Sequence, residues 1–128
     1  MEEIKKFITN QIVIEEKFFT SIIGLNPSKG ARSPLLWNAA FKEFDYPAKM
    51  HPLDVQEENI EGLIHYLREN KNFRGGAVAA PYKIIIADIL KDNLTPEAKA
   101  IGAINCIFRD ENGSLKGTNT DGEAALKC

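Results

Sequence analysis

Apolar and polar positions change their period several times along the chain, and each change marks an element. The run FFTSIIG at 18–24 is β-branched and aromatic and then breaks into LNPSKGA. That predicts a buried strand feeding a loop that contains glycine and proline. In SPLLWNAAFKEF the spacing becomes helical, with Leu36, Trp37, Ala40, Phe41 and Phe44 on one face. Ser33 stands where an N-cap belongs, and Pro34 suits the first helical position. AKMHPLDV (48–55) predicts a second strand, at a sheet edge or short, because Pro52 cannot donate to a ladder. QEENIEGLIHYLREN (56–70) returns to helical spacing through Ile60, Leu63, Ile64 and Leu67. Acidic residues in its first turn and Arg68 near its last suit the helix dipole.

FRGGAVAA (73–80) predicts a third strand with unusually small side chains, and PYKIIIADIL (81–90) a helix opened by Pro81. KDNLTPEAKAIGA (91–103) reads as a turn, and INCIFRD (104–110) alternates like a strand. ENGS follows, where Asn112-Gly113 suits a tight hairpin, and LKGTNT (115–120) is the partner strand. DGEAALKC (121–128) begins a helix, while residues 1–16 suit an extra strand or a short helix. Strands that alternate with helices predict the α/β class: a three-layer sandwich with a mainly parallel sheet and a C-terminal β-hairpin. Ligands bind beyond the carboxyl ends of strands in such sheets, which singles out loops 25–33, 79–83 and 117–122.

A chain of 128 residues with a net charge of -2 holds one ordinary domain and carries no lysine/arginine block. Nucleic acid and anionic membrane are therefore excluded as first expectations. Cys106 and Cys128 lack metal-type spacing and suit free thiols of a reducing compartment. The N-terminal stretch lacks the apolar core of a signal peptide, so a cytoplasmic location is expected. His51 and His65 offer no metal constellation.

Two residues stand out at carboxyl ends of predicted strands. Lys83 falls on the first turn of a helix, where the dipole disfavours a cation. A solvated surface lysine is the ordinary reading; the sharper one is an ammonium held to polarise an oxygen or pass on a proton. Asp121, in NTDG, is an ordinary turn residue by itself. If their strands are neighbours, the two form a pair suited to carbonyl/alcohol interconversion, one holding charge and one passing a proton. Ser33 is an N-cap that also makes a seat for a carboxylate, and Arg32 would strengthen that seat. Asn105 opens a half-buried strand, where its amide either ties down the adjacent loop or reaches a ligand.

IIGLNPSKGARSPLLWNAAF, FRGGAVAAPYK, LTPEAKAIGAIN and GTNTDG together resemble, in order and spacing, the substrate-binding domain of shikimate dehydrogenases. The resemblance covers about residues 18 to 125 and implies an oxidoreductase of aromatic amino-acid biosynthesis. Its reaction would be NADP-linked reduction of 3-dehydroshikimate or a related cyclic keto acid. It implies Lys83 and Asp121 as the catalytic pair and Asn105 as a contact to a substrate hydroxyl. Ser33 would then take the second place of a carboxylate-binding serine pair, with Ala31 in the first place and Arg32 between them. Ala77 and Ala79 occupy positions where the family pattern carries an asparagine and a threonine, and Tyr82 replaces a histidine. Each lost partner costs on the order of 1–3 kcal/mol if it leaves a ligand hydroxyl unpaired. The expected layout is an N-terminal extension at 1–17 and a substrate-binding domain at 18–128. That domain ends at the start of a crossover helix, before any GxGxxG fingerprint for NADP. The expected partner is a small cyclic hydroxy or keto acid, with either a second copy of the chain or a cofactor domain. The competing expectation is a non-catalytic small-molecule-binding module.

Overall fold

In the computed structural model, residues 2–120 are described. Five strands form one sheet: β1 (Phe18–Gly24), β2 (Ala48–Asp54), β3 (Phe73–Val78), β4 (Cys106–Arg109) and β5 (Leu115–Thr118). Among the described residues four α-helices accompany them: α1 (Ser33–Glu43), α2 (Ile60–Glu69), α3 (Lys83–Ile89) and α4 (Pro96–Ile101). The strand order is β2-β1-β3-β4-β5. β1 is parallel to both neighbours, and β4 is antiparallel to β3 and β5. β4 alone therefore runs against the rest, and β1, β2, β3 and β5 present their carboxyl ends at one edge of the sheet.

The crossover β1-α1-β2 moves to one side of β1 and β2-α2-β3 moves to the other. Right-handed crossovers then place α1 and α2 on opposite faces, which gives the three layers. α3 packs beside α2. Between these helices and the sheet lies the core, with Phe19, Ile23, Leu53, Phe73 and Val78 from the strands meeting Ile60, Leu63, Ile64, Leu67 and Ile86. The four apolar positions read from the spacing of 56–70 are all buried, and Pro52 does lie on an edge strand.

Helix α1 departs from its expected packing. None of its residues is buried, and Leu36 and Phe44 are 70% and 79% exposed. Asn38 explains the turn of the helix: its Oδ1 accepts from Met50 N at 2.7 Å and its Nδ2 donates to Met50 O at 3.3 Å. The amide supplies partners to the open edge of β2, so Asn38 faces the sheet with half-buried Trp37 and Phe41, and Leu36, Ala40 and Phe44 turn outward. Ser33 is not the N-cap. Arg32 holds that position without a side-chain cap, and its carbonyl accepts from Leu35 N and Leu36 N, so the helix starts one residue earlier than expected.

Three further local features differ from or sharpen the sequence reading. The segment 91–103 contains α4 rather than a turn alone: Thr95 caps it through Ala98 N, Pro96 opens it, and Gly102 closes it at φ 79°. The hairpin loop spans 110–114 rather than a two-residue turn, because Asp110 Oδ1 accepts from both Asn112 N and Ser114 N at 2.9 Å. Gly75 and Gly76 adopt φ of 116° and 144° at a register shift between β1 and β3. A Cβ on Gly76 would lie 1.9 Å from Ser21 O. Residues 2–14 pack against the domain, with Ile4 buried and Phe7, Ile8, Ile12 and Ile14 against the core.

Candidate active site

At the carboxyl edge of the sheet, the loops after β1 and β3 enclose a cleft of about 480 Å³ lined by residues 24–27 and 79–81. Close passage of these loops needs a small residue at 24, since a Cβ there would meet Ala79 Cβ at 3.1 Å. Ala79 is anchored by its N–H to Ile23 O at 2.8 Å. Its methyl therefore faces the cleft from a fixed backbone and offers no hydrogen bond. Ala77 sits two residues earlier on the same face of β3, half-buried, between Ile22 and Cys106 in the sheet.

Lys83 begins α3, two residues beyond the cleft wall, and is exposed. Two bonds fix its backbone. Tyr82, only 1% exposed, donates its hydroxyl to Val55 O at 2.6 Å, which ties the loop to the end of β2. Lys83 O accepts from Ile104 N at 3.0 Å, which ties it to the start of β4. Burial first, then the carboxylates of Glu57 and Glu58, pushes the Tyr82 hydroxyl above its ordinary pKa. Tyr82 thus stays a donor, and Lys83 leaves the fold at a set point on the rim.

Asn105 ties down the adjacent loop. Its Nδ2 donates to Thr120 Oγ1 at 2.8 Å and its Oδ1 accepts from Thr120 N at 3.0 Å. The backbone adds Val78 N to Asn105 O at 2.9 Å and Asn105 N to Thr118 O at 3.0 Å. β3 and β5 are not neighbours, since β4 lies between them, so the condition set for a pair on adjoining strands is not met. The link runs instead from Lys83 through residues 104–105 to Thr120. Asp121 lies outside the described residues, immediately after this clasp.

Arg32 is exposed and Ser33 half-buried at the start of α1, and neither lines the cleft. The loop that carries them is held by a residue that sequence reasoning passed over. Asp54, at the carboxyl end of β2 and 5% exposed, accepts from Ser28 N at 2.9 Å and from the Ser28 hydroxyl. An acid at the carboxyl end of a predicted strand is the signal that would have found it. Among the described residues no group of three His, Cys, Asp or Glu could hold a metal ion. Nor is any described helix long and apolar enough to cross a membrane.

Sheet and cleft define an α/β domain with an open cleft at the strands' carboxyl ends, where sheets of this kind bind ligands. Residues 22–107 match the family described as the shikimate dehydrogenase substrate binding domain, and the chain belongs to that family. The NADP(+) shikimate dehydrogenase of Carboxydothermus hydrogenoformans is 41% identical over 111 residues, covering 87% of this chain and 38% of that protein. The pentafunctional AROM polypeptide of Scheffersomyces stipitis is 36% identical over 123 residues, covering 93% of this chain and 7% of its own. A solved Listeria monocytogenes shikimate 5-dehydrogenase, in complex with shikimate and NAD, superposes with a TM-score of 0.75 at 28% identity. The match covers 94% of this chain and 40% of that one. The chain thus spans less than half the length of these shikimate dehydrogenases.

Proposed function

We propose that this chain is the substrate-binding and proton-transferring half of an oxidoreductase that reduces 3-dehydroshikimate or a related cyclic keto acid with NADPH. The observation that carries the reading is the set of bonds linking Lys83, Asn105 and Thr120 beside the cleft between 24–27 and 79–81. Reduction of the ketone adds a hydride to carbon and a proton to oxygen. The described residues do not fit the dinucleotide, because the cleft lining carries no cation and no glycine-rich phosphate loop. What these residues supply is the keto acid's seat and the proton. Lys83 polarises the carbonyl oxygen and gives it a proton as charge develops there, and Asp121 takes part in restoring that proton. The substrate carboxylate extends beyond the cleft lining to Arg32 and Ser33 at the start of α1.

Titration of the chain with shikimate, followed by amide shifts at Gly24, Ala79 and Lys83, tests the seat. Saturation at millimolar concentration or below is expected. The absence of any shift for shikimate, quinate and 3-dehydroshikimate would sink these substrates.

Ala79 in the cleft wall favours a second reading, a binding module for a less hydroxylated acid. Fusing the chain to a nicotinamide-binding domain separates the two. The oxidoreductase reading requires NADPH-linked turnover that Lys83→Met lowers at least about 100-fold while leaving shikimate affinity within a few-fold.

A further inference from the structure

A second cavity, of about 520 Å³, lies where residues 10–16, the start of α1 and the outer edge of β2 meet. None of its lining residues borders the cleft at the carboxyl edge. His51 lines it and is 5% exposed, and its Nε2 has no hydrogen-bond partner among the described residues. Glu16 Oε1, also buried without such a partner, lies 3.8 Å from His51 Nε2. That separation is too long for a direct hydrogen bond. Two buried polar atoms side by side and unpaired call for a group that satisfies both.

Charge decides which kind of group. Burial, then the nearby Lys49, lowers the His51 pKa against the opposing pull of Glu16, which favours the neutral ring, and in its Nδ1–H tautomer Nε2 accepts. Glu16 is an anionic acceptor, and the lining holds two carboxylates, Glu15 and Glu16, against one ammonium, Lys49. One donor placed about 2.9 Å from both acceptor atoms would see them about 80° apart, an angle that two N–H bonds of an ammonium reach with modest bending. We propose that this cavity binds a small primary ammonium compound, its nitrogen seated between Glu16 Oε1 and His51 Nε2. Ile12, Met50 and Pro52 supply apolar wall for a short alkyl group.

Methylammonium chloride is the probe, titrated into the 128-residue chain at constant ionic strength against sodium chloride, with the imidazole nitrogens followed by NMR. A saturable shift at His51, with none at exposed His65, is expected. Glu16→Gln, nearly isosteric and only partly buried, weakens binding at least ten-fold, whereas Lys49→Gln removes a like charge and tightens it a few-fold. Three results would overturn the proposal: a shift that does not saturate, the same shift with sodium chloride, or unchanged affinity in Glu16→Gln. Should Glu16→Gln perturb the amide spectrum at large, Lys49→Gln decides alone, and weaker binding there rejects the site.

Discussion

Asn105 and Thr120 hold each other by two hydrogen bonds, one through each end of the Asn105 amide, at 2.8 and 3.0 Å. The pair fixes the last described residue before Asp121. The residue ahead of it, Ile104, is bonded to Lys83 O. One short segment just before β4 thereby fixes both the Lys83 backbone and Thr120.

Asn105→Ala should therefore loosen the 118–120 segment more than it lowers global stability. We expect faster amide exchange at Thr120 and a loss of about 1–2 kcal/mol in denaturant unfolding. Asn105→Asp restores the acceptor for Thr120 N but not the donor, and should fall between the two. Unchanged exchange at Thr120 in the alanine variant would show that the clasp does not hold the loop.

Gly76 allows the close approach of β3 to β1. Its φ is 144°, and a methyl group placed there with ideal geometry would stand 1.9 Å from Ser21 O, so Gly76→Ala must displace backbone. A loss of more than about 3 kcal/mol is expected in urea unfolding. Gly102→Ala is the control: φ is 79° but nothing lies within 4 Å of its Cβ, so only the left-handed backbone penalty of about 1 kcal/mol applies.

Much of the core was legible because burial leaves a period in the sequence. Ile60, Leu63, Ile64 and Leu67 recur at helical spacing and are all buried, and FFTSIIG matches β1 residue for residue. Helix α1 misled because spacing records apolar faces and not what covers them; the polar Asn38 faces the sheet to serve the β2 edge. Helix α4 had its signals in Thr95, Pro96 and Gly102, but its six residues bury only Ala98 and show no periodic stripe. At the site, Lys83, Asn105 and Ala79 were visible as residues. The bonds that position them were not, because Tyr82 to Val55 and Asp54 to Ser28 join positions far apart in sequence.

Arg109 ties the C-terminus of α2 to the hairpin. Its guanidinium donates to Phe73 O, Arg68 O, Gly113 O, Leu67 O and Asn70 O at 2.7–3.1 Å. Helix-terminal carbonyls lack intrahelical partners, and a cation there also meets the negative end of the dipole. Arg109→Met should cost about 2–3 kcal/mol in unfolding free energy: Arg68 O and Phe73 O lose this side-chain donor, whereas Leu67 O, Asn70 O and Gly113 O keep Asn70 N, Phe73 N and Lys71 Nζ. Arg109→Lys keeps the charge but not the planar fork and should recover less than half of that loss.

Tyr82→Phe probes the tether behind Lys83. At neutral pH the variant loses the hydroxyl bond to Val55 O and about 1 kcal/mol of stability. The gap should close at alkaline pH. Burial, with Glu57 and Glu58, raises the native tyrosine pKa above 10.0. The unfolded chain then ionises first, so the wild type is fully stabilised below pH 10 and loses that stability as pH climbs through the raised native value. Phenylalanine has no proton to lose at that position. Chemical denaturation of both proteins at about pH 8 and about pH 10.5 checks this: the stability difference must shrink at the higher pH, and an undiminished gap would mean that the unfolded chain gains nothing by ionising at residue 82.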